Sequence, residues 1–321
     1  MDAPRRPVRA LPFGGGAPRE YNATRTCHDR PARSFRQLLS TEITNTQKSK
    51  AMKIYIMTDL EGVSGVVDFE WRKDESPPNM LKRQRYSRLL TGEVNAAVDG
   101  CFAAGATEVL VDDAHGGAYT IDFENVDKRC SVLHGKFRPG MMSCLDSSFD
   151  AMLMIGAHAM ARTPGGVLYH TMSLDTREIR LNGIPHGEFG IFAFKAGAYN
   201  VPTIMISGDE AACREGKRFI KGLVAVAVKK GLSRYSAVSI APERAREMIR
   251  EGVIEAIGKL KHIKPYKLKA PFTYQEDGYP DGDKKIESSH PDDLPKVWTT
   301  GPMIKARTAK ELIKKVWGQK V

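Results

Sequence analysis

Lys53-Ile54-Tyr55-Ile56-Met57-Thr58-Asp59-Leu60-Glu61-Gly62 is an apolar run of strand length that ends abruptly in two acids and a glycine. Along a strand, residues i and i+2 point to the same side, so Asp59 and Glu61 are placed to aim two carboxylates into one space. In open α/β sheets that space is the crevice beyond the carboxyl ends of the strands. The pattern recurs downstream. Glu108-Val109-Leu110-Val111 runs into Asp112-Asp113-Ala114-His115-Gly116-Gly117, and Ala151-Met152-Leu153-Met154-Ile155-Gly156 runs into Ala157-His158. Between the first two runs, Leu90, Val94, Ala97, Val98, Cys101 and Phe102 recur at three- and four-residue spacing, which predicts a helix over residues 86–104. Strand, helix, strand is a βαβ unit with parallel, neighbouring strands. The fold class expected is therefore α/β: a mostly parallel sheet flanked by helices, with polar residues gathered at its strand ends.

Working outward, residues 63–85 are polar and interrupted by Pro77-Pro78. They read as a long loop, either a cover over the cleft or a contact surface. Further on, Thr163-Pro164-Gly165-Gly166 marks a turn ahead of His170, residues 179–185 read as strand and turn, and residues 188–198 as a buried helix with Glu188 at its start. Residues 201–207 form another apolar strand, followed by Asp209 in a good helix-capping position. Beyond Ser236 the texture changes to an amphipathic helix (242–260), two short strands (264–273 and 296–299), an acidic Pro/Gly-rich loop (276–295) and a last helix (309–316). The organisation expected is a basic, disordered extension over 1–51, an α/β catalytic domain over 52–238, and a smaller α+β part over 239–321 that packs on it or builds an oligomer.

Composition narrows the class. At 41% hydrophobic and 27% charged, the 321 residues suit a soluble globular protein. No apolar run approaches the roughly 18 residues that a membrane helix needs. The net charge of +11 divides unevenly, because residues 1–51 hold 10 Lys/Arg against 4 Asp/Glu, a net of +6. The remainder is only mildly basic and has no dense Lys/Arg stripe with interleaved aromatics, so no nucleic-acid site is expected. The basic stretch has a faint compositional likeness to an organelle transit peptide, but the reading preferred is a plain disordered tail or sequence upstream of a start at Met52. Five cysteines, Cys27, Cys101, Cys130, Cys144 and Cys213, include no Cys-x-x-Cys pair. They argue against a disulfide framework or a zinc knuckle and make a reducing cytoplasm the simplest compartment.

Asp59, Glu61, His115, His158 and Glu188 are thus collected at strand ends and one helix start. Carboxylates and imidazoles without thiolate form the ligand set of a catalytic divalent-metal site. Three carboxylates and two imidazoles exceed the needs of one tetrahedral ion and suit a pair. Against this, acids before glycine are common turn residues, and a histidine after a strand is commonly a hydrogen-bonded loop residue. Asp112 and Asp113 are candidates to orient a ligand imidazole. His186 is an extra imidazole read as surface or supporting, and His134 as structural.

Asp59-Leu60-Glu61-Gly62-Val63-Ser64-Gly65, Asp113-Ala114-His115, Gly156-Ala157-His158-Ala159, His170-Thr171-Met172 and Asn182-Gly183-Ile184-Pro185-His186-Gly187-Glu188 together resemble the dipeptide-operon D-aminopeptidase family of dinuclear zinc peptidases. The resemblance covers Met52 to about Ser239. It implies an α/β fold and two zinc ions per chain, with manganese or cobalt accepting similar ligands. It also implies that Asp59 bridges the ions, that Glu61 and His158 complete one and His115 and Glu188 the other, and that His170 is a catalytic histidine outside the ligand set. The activity implied is hydrolysis of short peptides, with D-residues at the amino end as one option, by a metal-activated water assisted by His170. Homo-oligomeric rings are implied as well. Two other readings stand beside it: a dinuclear hydrolase of a different amide or a phosphoester, for which only Gly116-Gly117 hints at an anion cradle, and a non-catalytic basic protein that binds polyanions.

Overall fold

The computed structural model describes residues 51–279 and 297–318. The expected extension over 1–51, but for its last residue, and most of the acidic loop lie outside the described residues.

The strands are β1 (Lys53–Thr58), β2 (Glu108–Asp112), β3 (Ser131–Leu133), β4 (Ala151–Ala157), β5 (Thr176–Leu181), β6 (Ile184–His186), β7 (Thr203–Asp209), β8 (Val224–Ser233), β9 (Ser236–Ser239), β10 (Phe272–Gly278), β11 (Thr299–Thr300) and β12 (Ile304–Ala306). The helices are α1 (Pro77–Ala103), α2 (Glu188–Ala198), α3 (Glu210–Phe219), α4 (Pro242–Gly258) and α5 (Ala309–Trp317), with a 3-10 turn at Leu260–His262. A seven-stranded sheet runs in the order β3-β2-β1-β4-β7-β8-β9. It is parallel from β3 through β8, and only β9 pairs antiparallel. The mostly parallel α/β sheet expected from the strand-ending motifs is present.

The strand order explains why the motifs matter. From β1 the chain steps outward to β2 and β3, then returns to lay β4 on the other side of β1 and steps away through β7 and β8. The reversal between β1 and β4 is a topological switch point, where an open α/β sheet leaves a crevice at its carboxyl edge. Asp59 follows β1 and His158 follows β4, so both sit on that crevice. Right-handed crossovers in opposite directions put helices on both faces, and β4 and β7 are buried along their whole length.

Helix α1 begins nine residues before the predicted start, at Pro77 itself. Proline has no N–H to donate, but the first turn of a helix needs none, so Pro77-Pro78 opens the helix rather than interrupting a loop. Leu90, Val94, Ala97, Val98 and Cys101 form its buried stripe. Gly100 lets α4 approach, since a Cβ there would lie 2.9 Å from the Val253 Cβ. The β8–β9 hairpin was not predicted, and the strand expected over 264–273 starts only at Phe272.

A second, antiparallel sheet, β11-β10-β5-β6 with β12 also on β10, combines strands from both sides of residue 239. Helix α4 packs on α1 and the large sheet, whereas α5 packs on α2 and on β10 and β12.

Candidate metal centre

The loop after β1 is pinned from two directions. Asp59 N donates to Ile155 O and Gly62 N to Gly156 O, both at 2.8 Å, tying the loop to the end of β4. Beneath it the buried Lys229 of β8 donates from Nζ to the backbone carbonyls of Glu61, Val63 and Val66. Ser64 N adds a bond of 2.8 Å to the buried Glu93 of α1. Asp59 and Glu61, residues only 6% and 4% exposed, are thereby held in the crevice.

His115 and His158 converge on them. His115 Nδ1 lies 3.0 Å from both Asp59 Oδ1 and Glu61 Oε2. His158 Nε2 lies 3.2 Å from Asp59 Oδ2 and 3.1 Å from Glu188 Oε1, and its Nδ1 is 2.9 Å from Ala159 O. Glu188 is the first residue of α2, where the helix dipole favours an anion, and it accepts from Met172 N at 2.7 Å. His170 stacks on His158 with ring centroids 3.9 Å apart, its Nε2 3.7 Å from Glu188 Oε1. All five sequence-derived candidate ligands and His170 therefore meet in one place. Ligand atoms within 4.8 Å of one another define two groups, Asp59, Glu61 and His115 in one, His158, His170 and Glu188 in the other. The pairing implied by the resemblance, Glu61 with His158 and His115 with Glu188, runs across these groups.

The supporting residues differ from expectation. Asp113 accepts from Thr120 N and Ile121 N at 2.8 and 3.1 Å, so it closes the loop behind His115 rather than orienting its ring. Asp112 is bonded to Tyr55 Oη and Arg138. His186 is fully buried, stacked on Phe219 and 2.9 Å from Tyr266 Oη, so it belongs to the core rather than the surface. Three residues of the site had no sequence signal: Lys229; Phe69, packed edge-on against His170 at 5.7 Å; and Glu70, whose Oε1 is 3.3 Å from His115 Nε2. All act across long sequence separations, where neither periodicity nor motif spacing reaches.

Charge sets the chemistry. Burial and the neighbouring Glu61 push Asp59 up to about 7. Burial would also raise Glu61, but His115 holds it well below the usual carboxylate range. Burial alone would depress His158, yet Glu188 and Asp59 lift it to about 10. Against the same burial Glu188 is drawn down to about 2, chiefly by His158. Three buried acids thus rely on imidazolium partners for their charge balance. Asp59 Oδ2 and Glu61 Oε2 accept no well-formed hydrogen bond despite being buried. Unsatisfied buried carboxylate oxygens beside imidazole nitrogens, with no thiolate, fit a hard-to-borderline divalent cation.

A cavity of about 470 Å³ opens onto this cluster, lined by Glu61 and His170 on one side and by Phe69, Trp71, Met172 and Leu174 on others. Its size suits a small ligand.

The D-aminopeptidase family model matches residues 52–277, which spans every one of these side chains. The chain belongs to the D-aminopeptidase family. It is thus an enzyme, a hydrolase of peptide bonds. A D-aminopeptidase of Bacillus subtilis (strain 168) is 33% identical over 215 residues, covering 67% of this chain and 77% of that protein. A solved structure, the Zn-dependent D-aminopeptidase DppA from Bacillus subtilis, described as a self-compartmentalizing protease, superposes with a TM-score of 0.71 at 28% identity. The match covers 80% of this chain and 93% of that one.

Proposed function

We propose that this chain is a zinc-dependent aminopeptidase of short peptides whose centre would hold two divalent ions, with Asp59 placed to be shared between them. The observation that carries the reading is the Asp59 carboxylate, whose Oδ1 faces His115 while its Oδ2 faces His158. One side chain thus addresses both ligand groups. Glu61 and His115 complete the first position, and His158 and Glu188 the second. The names of the relatives support zinc as the metal, D-residues at the substrate's amino end, and assembly into a homo-oligomer. A cytoplasmic setting fits the cysteine usage.

Bound zinc would supply Lewis acidity and an acidified water at neutral pH. The protein's own part falls to His170. Its Nδ1 is committed to Leu168 O at 2.9 Å, which leaves Nε2 as the acceptor facing Glu188 and the cavity. Burial and the adjacent His158 hold His170 down at about 4, so the ring is neutral near pH 7 with Nε2 unprotonated; its proposed part is to assist proton movement or steady developing charge beside the centre. Phe69 and Trp71, lining the cavity, exclude water from an apolar substrate side chain.

A second reading is favoured by one distance set: His170 groups with His158 and Glu188 closely enough to serve as a ligand. Zinc content per chain, measured with turnover on a panel of L- and D-aminoacyl peptides and amides, tests both. Two ions per chain are expected, and none in Asp59→Ala. One ion retained by that variant would overturn the bridge. Absence of hydrolysis across the peptide panel by the zinc-saturated protein would overturn the aminopeptidase reading.

A further inference from the structure

We infer that Glu70 is the positioning residue for His115, accepting its Nε2 proton so that Nδ1 is the atom presented to the metal. The inference rests on the metal reading above. A neutral imidazole carries one N–H, and the hydrogen bond made by one ring nitrogen decides which atom of the other is left to bind. In His158 and His170 a backbone carbonyl takes Nδ1, so Nε2 faces the site. His115 is turned the other way. Its Nδ1 stands 3.0 Å from Asp59 Oδ1 and Glu61 Oε2, and on the far edge of the ring Nε2 stands 3.3 Å from Glu70 Oε1.

Glu70 is built for the role. Its side chain is only 9% exposed, and Arg72 Nε at 2.9 Å and Arg83 Nε at 3.4 Å fix its two oxygens. The two guanidiniums fix the direction of its carboxylate. The His115 ring stands between Glu70 and the acids Asp59 and Glu61, so Glu70 is not a ligand of the ion they address, and it joins neither ligand group. The acids nearest His115 in sequence do not substitute for it, since Asp112 is committed to Tyr55 and Arg138 and Asp113 to the loop amides. A carboxylate on a ligand histidine fixes tautomer and ring orientation and raises ligand basicity, and its loss costs about 10–100-fold in metal affinity. Consecutive residues of one segment thus brace two histidines: Phe69 packs on His170 and Glu70 bonds His115.

The test uses the full chain with zinc alone as the probe. Zinc affinity by competition with a chromophoric chelator is measured for wild type, Glu70→Ala and Glu70→Gln, each first shown to be folded by its thermal melt. Long-range proton–nitrogen NMR of the zinc-loaded wild type reports which His115 nitrogen carries the proton. Glu70→Ala is expected to bind zinc about 10–100-fold more weakly. Glu70→Gln, whose Oε1 still accepts from Nε2, should recover part of that loss, and the wild-type proton should sit on Nε2. Wild-type affinity in Glu70→Ala, or a proton on Nδ1, overturns the inference while leaving the metal reading intact. Should the alanine variant fail to fold, the glutamine variant and the wild-type spectrum decide by the same outcomes. A wild type that takes up no zinc overturns the metal reading and this inference with it.

Discussion

His170 differs from its two neighbours in what its removal should do. His115 Nδ1 and His158 Nε2 each lie within 3.2 Å of two carboxylates, whereas His170 Nε2 has one at 3.7 Å. Removing a ligand weakens the hold on the ion; removing a proton carrier raises the barrier and leaves the ion in place. His170→Ala should therefore keep its zinc and lose about 100-fold or more in turnover, while His115→Ala and His158→Ala should lose zinc and activity together. Zinc content and peptidase rate on the same three preparations check this, and zinc depletion in His170→Ala would make it a ligand. At this scale the sequence was most informative where chemistry sits at a strand end. Asp59, Glu61, His115 and His158 were legible because an apolar run stopping on a polar residue is a local signal. His170 follows no such strand and became visible only through family resemblance. Glu70 and Lys229 were silent, because a charged residue in a loop or strand gives no sign of the backbone carbonyls or the imidazole it will meet in the fold.

Elements were legible where burial imposes a period. β1, β2, β4 and β7 are apolar runs, and α1 and α4 carry regular stripes. The β8–β9 hairpin escaped because β8 alternates small apolar residues and then turns to Lys229-Lys230-Gly231, which mimics a loop. Gly156 shows how one residue adapts an element to the site. It sits in β4 with a φ of +79°, beside an irregularity in the pairing with β7. A Cβ there would lie 2.0 Å from the backbone oxygen of Asp59. Gly156→Ala should thus cost the backbone strain of about 1–3 kcal/mol and also displace the Asp59 loop, lowering both melting temperature and zinc content. Gly165→Ala is the control: its φ is +71° but open space surrounds it, so it should show strain without zinc loss. Equal zinc content in the two variants would count against the coupling of β4 to the site.

At the scale of the whole molecule, burial also acts on a charge outside the site, Lys195 of α2, which is 1% exposed. Its Nζ donates to Met141 O at 3.1 Å and lies 5.1 Å from the Trp317 ring. Burial pulls it from 10.5 down to about 7, with Asp112 opposing. Because the folded pKa lies below the unfolded one, the unfolded chain binds the extra proton between those values, and stability rises with pH across that window. Lys195→Met should therefore be more stable than wild type near pH 7, with the gap narrowing towards pH 10 at up to about 1.4 kcal/mol per pH unit. Urea denaturation at pH 7.5 and 9.5 measures the gap; a constant gap would mean that the lysine is charged in the folded protein. The family match ends at residue 277, inside β10, so β11, β12 and α5 lie beyond it, where the sequence signal also thinned. Finally, the bond from Lys229 to the carbonyl of Glu61 joins positions 168 residues apart. Such a link pays its loop-closure entropy late, after nearer contacts have formed. The Lys229 clamp beneath the acid-bearing loop is therefore expected to close last, after the loop's bonds to α1 and the end of β4. Refolding from urea should accordingly recover far-ultraviolet circular dichroism first and peptidase activity afterwards, a lag that zinc supplied from the start should not abolish.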